Sequence, residues 1–305
     1  MISSLHAAEQ GAGSKTIVLL HGFGGCHDVW GEVISSLSAS VRTLAYDLPG
    51  HGLSLDFPDA GPAKVAARAI LADLSARALK RVHLVGHSMG GAVAVLMALA
   101  DPGKVASLTL LAPGGFGPEI NGALLRRFAA ASESSEILAC LAAMSGPRAL
   151  PFDHAADTLS EMRRRPGQLE KLVEVAAAMT RDDRQGVIPR DLLDTLAMPV
   201  MVVWGTDDAV LPFTHADGLP ARFHVHHVLE AGHMLIEEAP VLIARIILRN
   251  MNHRARPVRP RLATTLPLSA ISPALRPLIS PPISPVHFAG GCVNCVLTKP
   301  ARPRR

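Results

Sequence analysis

The sequence predicts an α/β fold: a mostly parallel central sheet with flanking helices and an inserted helical lid. Three observations predict it. Short apolar or β-branched runs recur, helical patterns separate most of them, and one run ends in Gly86-His87-Ser88-Met89-Gly90 ahead of a small-residue stretch, 91–100. Parallel strands buried on both faces read as continuous apolar runs, and strands interleaved with helices build a sheet covered on both sides.

In order, the strand-like runs are 16–20, 41–46, 81–85, 105–111, 200–204 and 224–229. Residues 114–197 interrupt the alternation with helix-like segments at 121–132, 135–144, 155–165 and 168–179 and no strand-like run. The core is therefore assigned to 15–113 and 198–250, and the insertion to a cap over the carboxyl edge of the sheet, where active sites of such folds gather. Phe116, Leu124, Phe128, Leu138, Met144, Met162 and Met179 are candidates to line a pocket beneath it. The plainer reading of Met and Leu at helical spacing is ordinary core. Residues 235–250 form a last helix-like run, and residues 1–14 are expected to be a flexible N-terminus.

Composition narrows the function classes. Hydrophobic residues make up 49% and aromatic residues 4% of the chain, so a pocket must be mainly aliphatic. The net charge of +4 is misleading, because residues 251–305 hold nine basic and no acidic side chains. That leaves 21 basic against 26 acidic side chains in residues 1–250, with no basic patch interleaved with aromatics, so no nucleic-acid partner is expected. The Pro- and Arg-rich stretch 251–305 is expected to be disordered. Its Cys292 and Cys295 form a CxxC without a second pair, and a structural zinc wants four ligands. His224, His226 and His227 likewise lack a carboxylate or cysteine at motif spacing, and a solvated edge is the expected setting; neither a metal nor a cofactor is expected. Four scattered cysteines, no secretory pattern and no run of ~18 apolar residues point to a cytoplasmic protein without a membrane segment.

The chemistry is carried by Ser88. A serine on a sharp strand-to-helix turn is presented at its tip, and the flanking glycines avoid collision with neighbouring backbone. A hydroxyl is a weak nucleophile at neutral pH, so a histidine base and a carboxylate to orient it should follow later in the chain. The run 200–204 leads into Gly205-Thr206-Asp207-Asp208, and the run 224–229 leads into Glu230-Ala231-Gly232-His233. His233 is the expected base and Asp208 the expected orienting acid, with Asp207 as the turn residue. Backbone donors for an oxyanion are expected at Met89 and at Phe23 of the loop His21-Gly22-Phe23-Gly24-Gly25. That loop carries neither GxGxxG nor GK[ST], so phosphate binding is not expected.

These residues resemble the α/β-hydrolase superfamily: HGFGG at 21–25, DLPGHGLS at 47–54, GHSMGG at 86–91, WGTDD at 204–208 and AGHMLIEEAP at 231–240 stand in that family's order. The resemblance implies a serine hydrolase acting on a small-molecule ester, thioester or related acyl substrate, and it supports Asp208. A narrower resemblance covers LLAPGGFGPEINGALLRRFAAAS at 110–132, which looks like the hydrolase-like domain of the dihydrolipoamide acetyltransferase component of acetoin dehydrogenase systems. It implies, as alternatives, an acyltransferase-type accessory of an acetoin or 2-oxo-acid dehydrogenase complex, or a silent ligand-binding member. That component usually carries a lipoyl domain and none is visible here; the short start also suggests a minimal or truncated domain.

Overall fold

The computed structural model describes residues 5–37 and 41–253. The expected disorder and the CxxC of the C-terminal stretch lie outside the described residues. Seven strands form one sheet in the order β1-β3-β2-β4-β5-β6-β7: β1 (Ala7–Gln10), β2 (Lys15–Leu20), β3 (Val41–Tyr46), β4 (Val82–His87), β5 (Val105–Leu111), β6 (Val200–Gly205) and β7 (His224–Val228). β1 runs antiparallel to β3, and every other pairing is parallel. The central strands are apolar runs buried along nearly their whole length, as a two-sided parallel sheet requires. β7 is the exposed edge, and its His224, His226 and His227 face solvent.

Two helices pack together on each side of the sheet: α2 (Ala63–Ala76) with α3 (Met89–Ala100), and α1 (Gly31–Ser36) with α10 (Pro240–Met251). Gly, Ala and Val dominate α3 and most of its residues are buried, because small side chains let its backbone lie close to the sheet. The insertion folds as α4 (Gly122–Ala130), α5 (Ser134–Met144), α6 (Asp153–Arg163), α7 (Gln168–Met179) and the one-turn α8 (Arg190–Leu193). Asn121 caps α4 by accepting from the Leu124 N–H at 3.1 Å, and Glu133 with Glu136 forms a capping box on α5, each satisfying donors that a helix start leaves open.

Two expectations need correction. Residues 1–14 are not wholly a flexible lead, because Ala7–Gln10 pairs with β3 in the register Ala7↔Tyr46 to Gln10↔Thr43. The helix-like run 235–250 divides into α9 (Leu235–Glu238) and α10, since Pro240 opens α10 at its first turn. Proline has no N–H to continue the earlier helix and suits a helix start.

At the carboxyl ends of β2 and β3, buried His21, Asp47 and His51 tie the loops together. His21 Nδ1–H donates to the Gly22 carbonyl at 2.7 Å, and its Nε2 accepts from the Leu48 N–H at 2.9 Å. Asp47 accepts from the His27 N–H at 2.7 Å, the Leu53 N–H at 2.8 Å and His27 Nδ1 at 2.9 Å. Burial pushes the Asp47 carboxyl up, but these donors and nearby His21 outweigh it and hold it down at about 2.

Candidate active site

β4 delivers Ser88 to the carboxyl edge, and the chain turns there into α3. Ser88 has φ 51° and ψ −116°, a conformation that costs a non-glycine residue ~1–3 kcal/mol. Backbone hydrogen bonds hold it. The Ser88 N–H donates to the Leu111 carbonyl at 2.9 Å, and its own carbonyl accepts from Gly91 at 2.9 Å, Ala92 at 3.2 Å and Gly114 at 2.9 Å. A Cβ on Gly86 would lie 2.3 Å from the Gly90 carbonyl oxygen, and one on Gly90 would lie 2.2 Å from that of Leu20. Both contacts are with backbone that cannot move aside. Gly90→Ala should therefore destabilise the fold by about 3 kcal/mol or prevent folding; a urea midpoint equal to wild type would contradict this reading of the elbow.

Of the two adjacent aspartates, Asp208 turns inward. Its Oδ1 accepts from the Val210 and Leu211 N–H groups, each at 2.8 Å, and its Oδ2 from Trp204 Nε1–H at 3.1 Å and His233 Nδ1 at 2.8 Å. Asp207 is exposed and accepts from the Thr206 hydroxyl at 2.8 Å. An ionised carboxylate on Nδ1 places the imidazole proton there and leaves Nε2 as the basic nitrogen. Neither His233 Nε2 nor Ser88 Oγ has a hydrogen-bond partner among the described residues.

His233 is anchored on both sides. Its N–H donates to the Met144 carbonyl at 2.7 Å, and its carbonyl accepts from His87 Nε2–H at 2.8 Å. Glu238 secures the same loop by accepting from Gly232 at 2.9 Å and Met234 at 3.1 Å, and it also accepts from Gly146 of the insertion at 2.9 Å.

Ser88, His87 and His233 line one pocket with Gly22, Phe23 and Gly25, and its apolar walls come from Val29, Leu125, Phe128, Leu159 and others. The Phe23 and Met89 N–H groups have no hydrogen-bond partner among the described residues. Phe23 lies on the pocket wall and Met89 directly follows Ser88.

Of the expected lining residues, Phe128 and Met144 meet the pocket; Phe116, Leu124, Leu138, Met162 and Met179 do not. Leu125 takes the place expected of Leu124, because one residue along a helix rotates a side chain by about 100°. Phe116 instead packs near Trp204, with ring centroids 6.5 Å apart. His87, Val29, Met234, Ile236 and Glu237 line the pocket unannounced. The first occupies a variable place in the serine motif; the others stand in short elements without a long period.

Burial, followed by the neighbouring His233, pushes His87 down to about 3; burial and then His21 do the same to His51. Both stay neutral in the fold, whereas unfolded imidazoles titrate near ~6.5. The stability they supply is thus complete above pH ~6.5 and declines as pH falls toward about 3. Asp47, depressed to about 2, adds a second loss below its unfolded value of ~3.9. Between pH 7 and 4.5 the thermal midpoint of His87→Gln should decline less than that of wild type; an identical pH dependence in the two proteins would oppose this.

Among the described residues, His6, His27 and Asp47 place possible metal-ligand atoms within 4.8 Å of one another. Both Asp47 oxygens already accept hydrogen bonds.

The sequence profile described as the Alpha/beta hydrolase family matches residues 17–246. A dihydrolipoyllysine-residue acetyltransferase component of the acetoin cleaving system from Pseudomonas putida is 37% identical over 230 residues, 75% of this chain and 61% of that protein. The chain thus spans under two thirds of that relative's length. A 2-hydroxy-6-oxononadienedioate/2-hydroxy-6-oxononatrienedioate hydrolase from Cupriavidus pinatubonensis is 31% identical over 68% of this chain and 75% of its own. In three dimensions, a meta-cleavage product hydrolase from Pseudomonas fluorescens superposes with a TM-score of 0.71 at 21% identity, over 81% of this chain and 94% of that one. The profile match takes in the serine elbow and the loop bearing His233, and the chain belongs to the α/β-hydrolase family.

Proposed function

We propose that the chain is a serine hydrolase that cleaves an ester, thioester or related acyl substrate through an acyl-enzyme. The observation that carries this reading is the convergence on one pocket of a strained serine, a histidine bonded to a buried aspartate, and an unpaired backbone amide. Ser88 Oγ attacks the acyl carbon while His233 Nε2 takes its proton, and Asp208 steadies the resulting imidazolium through Nδ1–H. The Phe23 and Met89 amides receive the developing oxyanion, an effect worth about 10²–10³ in rate per donor. Collapse expels the alcohol or thiol, which takes the proton from His233, and water then repeats the sequence in reverse to release the acid. No cofactor enters this chemistry.

The test is labelling by a fluorophosphonate probe together with a chain-length series of nitrophenyl esters, extended by a 2-hydroxy-6-oxo dienoate because relatives carry that activity in their names. Labelling and turnover of at least one substrate are expected. A folded protein that neither labels nor turns over any of them would overturn the proposal in favour of a silent ligand-binding member.

A second reading, an acyltransferase-type accessory in an acetoin or 2-oxo-acid dehydrogenase complex, is favoured by the 37% identity to the acetoin component. Co-purification with such a complex, and acyl transfer to a dihydrolipoyl thiol faster than to water, would select it.

A further inference from the structure

Two polar side chains on the pocket wall, His87 and Glu237, are not used by the proposed chemistry, and His87 is already tied to the His233 carbonyl. Glu237 stands on α9 and contributes to the same wall as Met234 and Ile236. Its Oε2 is shielded from solvent and has no hydrogen-bond partner among the described residues. Its neighbour Glu238, one residue along, accepts from Gly146, Gly232 and Met234 and has a complete structural role. Glu237 has none of these donors. Buried polar atoms left without partners are rare in folded proteins, and one that lines a ligand pocket points to a partner brought by the ligand.

We propose that Glu237 forms a polar subsite in a mainly apolar acyl pocket and selects acyl groups that carry a hydroxyl. This rests on the serine-hydrolase reading for the identity of the pocket, and goes beyond it in naming what the acyl chain must bear. The lining explains the choice of group. Val29, Leu125, Phe128, Met144, Leu159 and Ile236 offer no hydrogen bond and His87 already donates to the His233 carbonyl, so Glu237 answers a polar point along a hydrocarbon chain.

The charge state favours a neutral partner. Burial pushes the Glu237 carboxyl up, its own backbone N–H is the next influence and pulls it down, and the Glu238 and Glu32 carboxylates add to the rise, which reaches about 8. At neutral pH it is mainly a carboxylic acid, able to donate one hydrogen bond and accept others. A hydroxyl, both donor and acceptor, matches it. A substrate carboxylate would meet the Glu32 and Glu238 charges, and a bare methyl group would leave Oε2 unpaired.

The experiment compares the full chain with Glu237→Gln and Glu237→Met on nitrophenyl esters of equal length, in which the acyl chain is plain, carries a hydroxyl walked along it, or carries an amine. In parallel, calorimetry measures binding of the corresponding methyl esters to Ser88→Ala, which needs no turnover. Wild type should prefer one hydroxylated ester over the plain ester by about 10-fold in kcat/KM, and Ser88→Ala should show the same order in Kd. Glu237→Gln should keep most of the preference, and Glu237→Met should remove or invert it.

A preference unchanged in Glu237→Met overturns the proposal, as does an absent preference in wild type or a greater preference for the amine. If Glu237→Met fails to fold, the wild-type hydroxyl-to-plain ratio still decides. Selective binding without turnover would leave the subsite standing and reject the hydrolase reading. Turnover without selectivity would do the reverse, and neither binding nor turnover would reject both.

Discussion

Replacing Ser88 with alanine is expected to lower turnover by on the order of 10⁴-fold or more while leaving the fold unchanged. The two halves of this prediction have separate physical sources. The hydroxyl makes no hydrogen bond among the described residues, so its removal leaves no buried partner unsatisfied there and should alter stability by under ~0.5 kcal/mol. The strained backbone is held by the N–H and carbonyl of residue 88 through bonds to Leu111, Gly91, Ala92 and Gly114, all of which alanine retains. What disappears is the atom that the proposed mechanism bonds to the acyl carbon. Ester kinetics beside a urea melt measure both halves. Residual activity within 10-fold of wild type would place the nucleophile elsewhere.

Asp208→Asn is the second large effect, with an expected loss of about 10⁴ in kcat. Asparagine can keep its carbonyl oxygen toward the Val210 and Leu211 N–H groups, the position now held by Oδ1. Its amide nitrogen then meets Trp204 Nε1–H and His233 Nδ1, where two donors now share one carboxylate oxygen. The imidazole must place its proton on Nε2 to accept from the amide, and Nε2 is then unavailable as a base. The indole N–H loses one acceptor but keeps the Leu211 carbonyl at 3.1 Å, so the cost to stability should stay near 1–2 kcal/mol. The mutant should fold, bind substrate with little change in KM, and turn over slowly. A full-rate Asp208→Asn would show that the carboxylate only supports the loop.

The residues that were legible in advance share a physical character. β3 and β5 stand out as short runs of mostly apolar or β-branched residues between helical patterns, and their bounds coincide with the runs 41–46 and 105–111. The serine elbow shows itself through glycines required by backbone collisions, which leave a mark on sequence. β1 was missed because Ala-Ala-Glu-Gln is a four-residue edge strand with one partner, and such a segment needs no apolar pattern. Leu124 and Leu125 show a different limit: both suit an amphipathic helix, and only the phase of α4 against the sheet decides which meets the pocket. Glu237 could not be read as buried, since a glutamate pair on a short helix has the signature of a solvated face.

The loop bearing His233 and the helical insertion are joined twice: the His233 N–H ends on the Met144 carbonyl, and the Glu238 carboxylate gathers N–H groups from Gly232, Met234 and Gly146 together. Met144 also lines the pocket. On the proposed mechanism, the segment that lines the acyl pocket is therefore also the scaffold of the proton acceptor. For protein engineering this means that the insertion is not an interchangeable module. A graft from a relative that changes residues 144–146 would shift the histidine with the selectivity, whereas one ending before Met144 could recast the walls and leave proton transfer intact. Natural divergence faces the same constraint, and α4 and α6 are the places where new substrates can be accommodated without realigning the base.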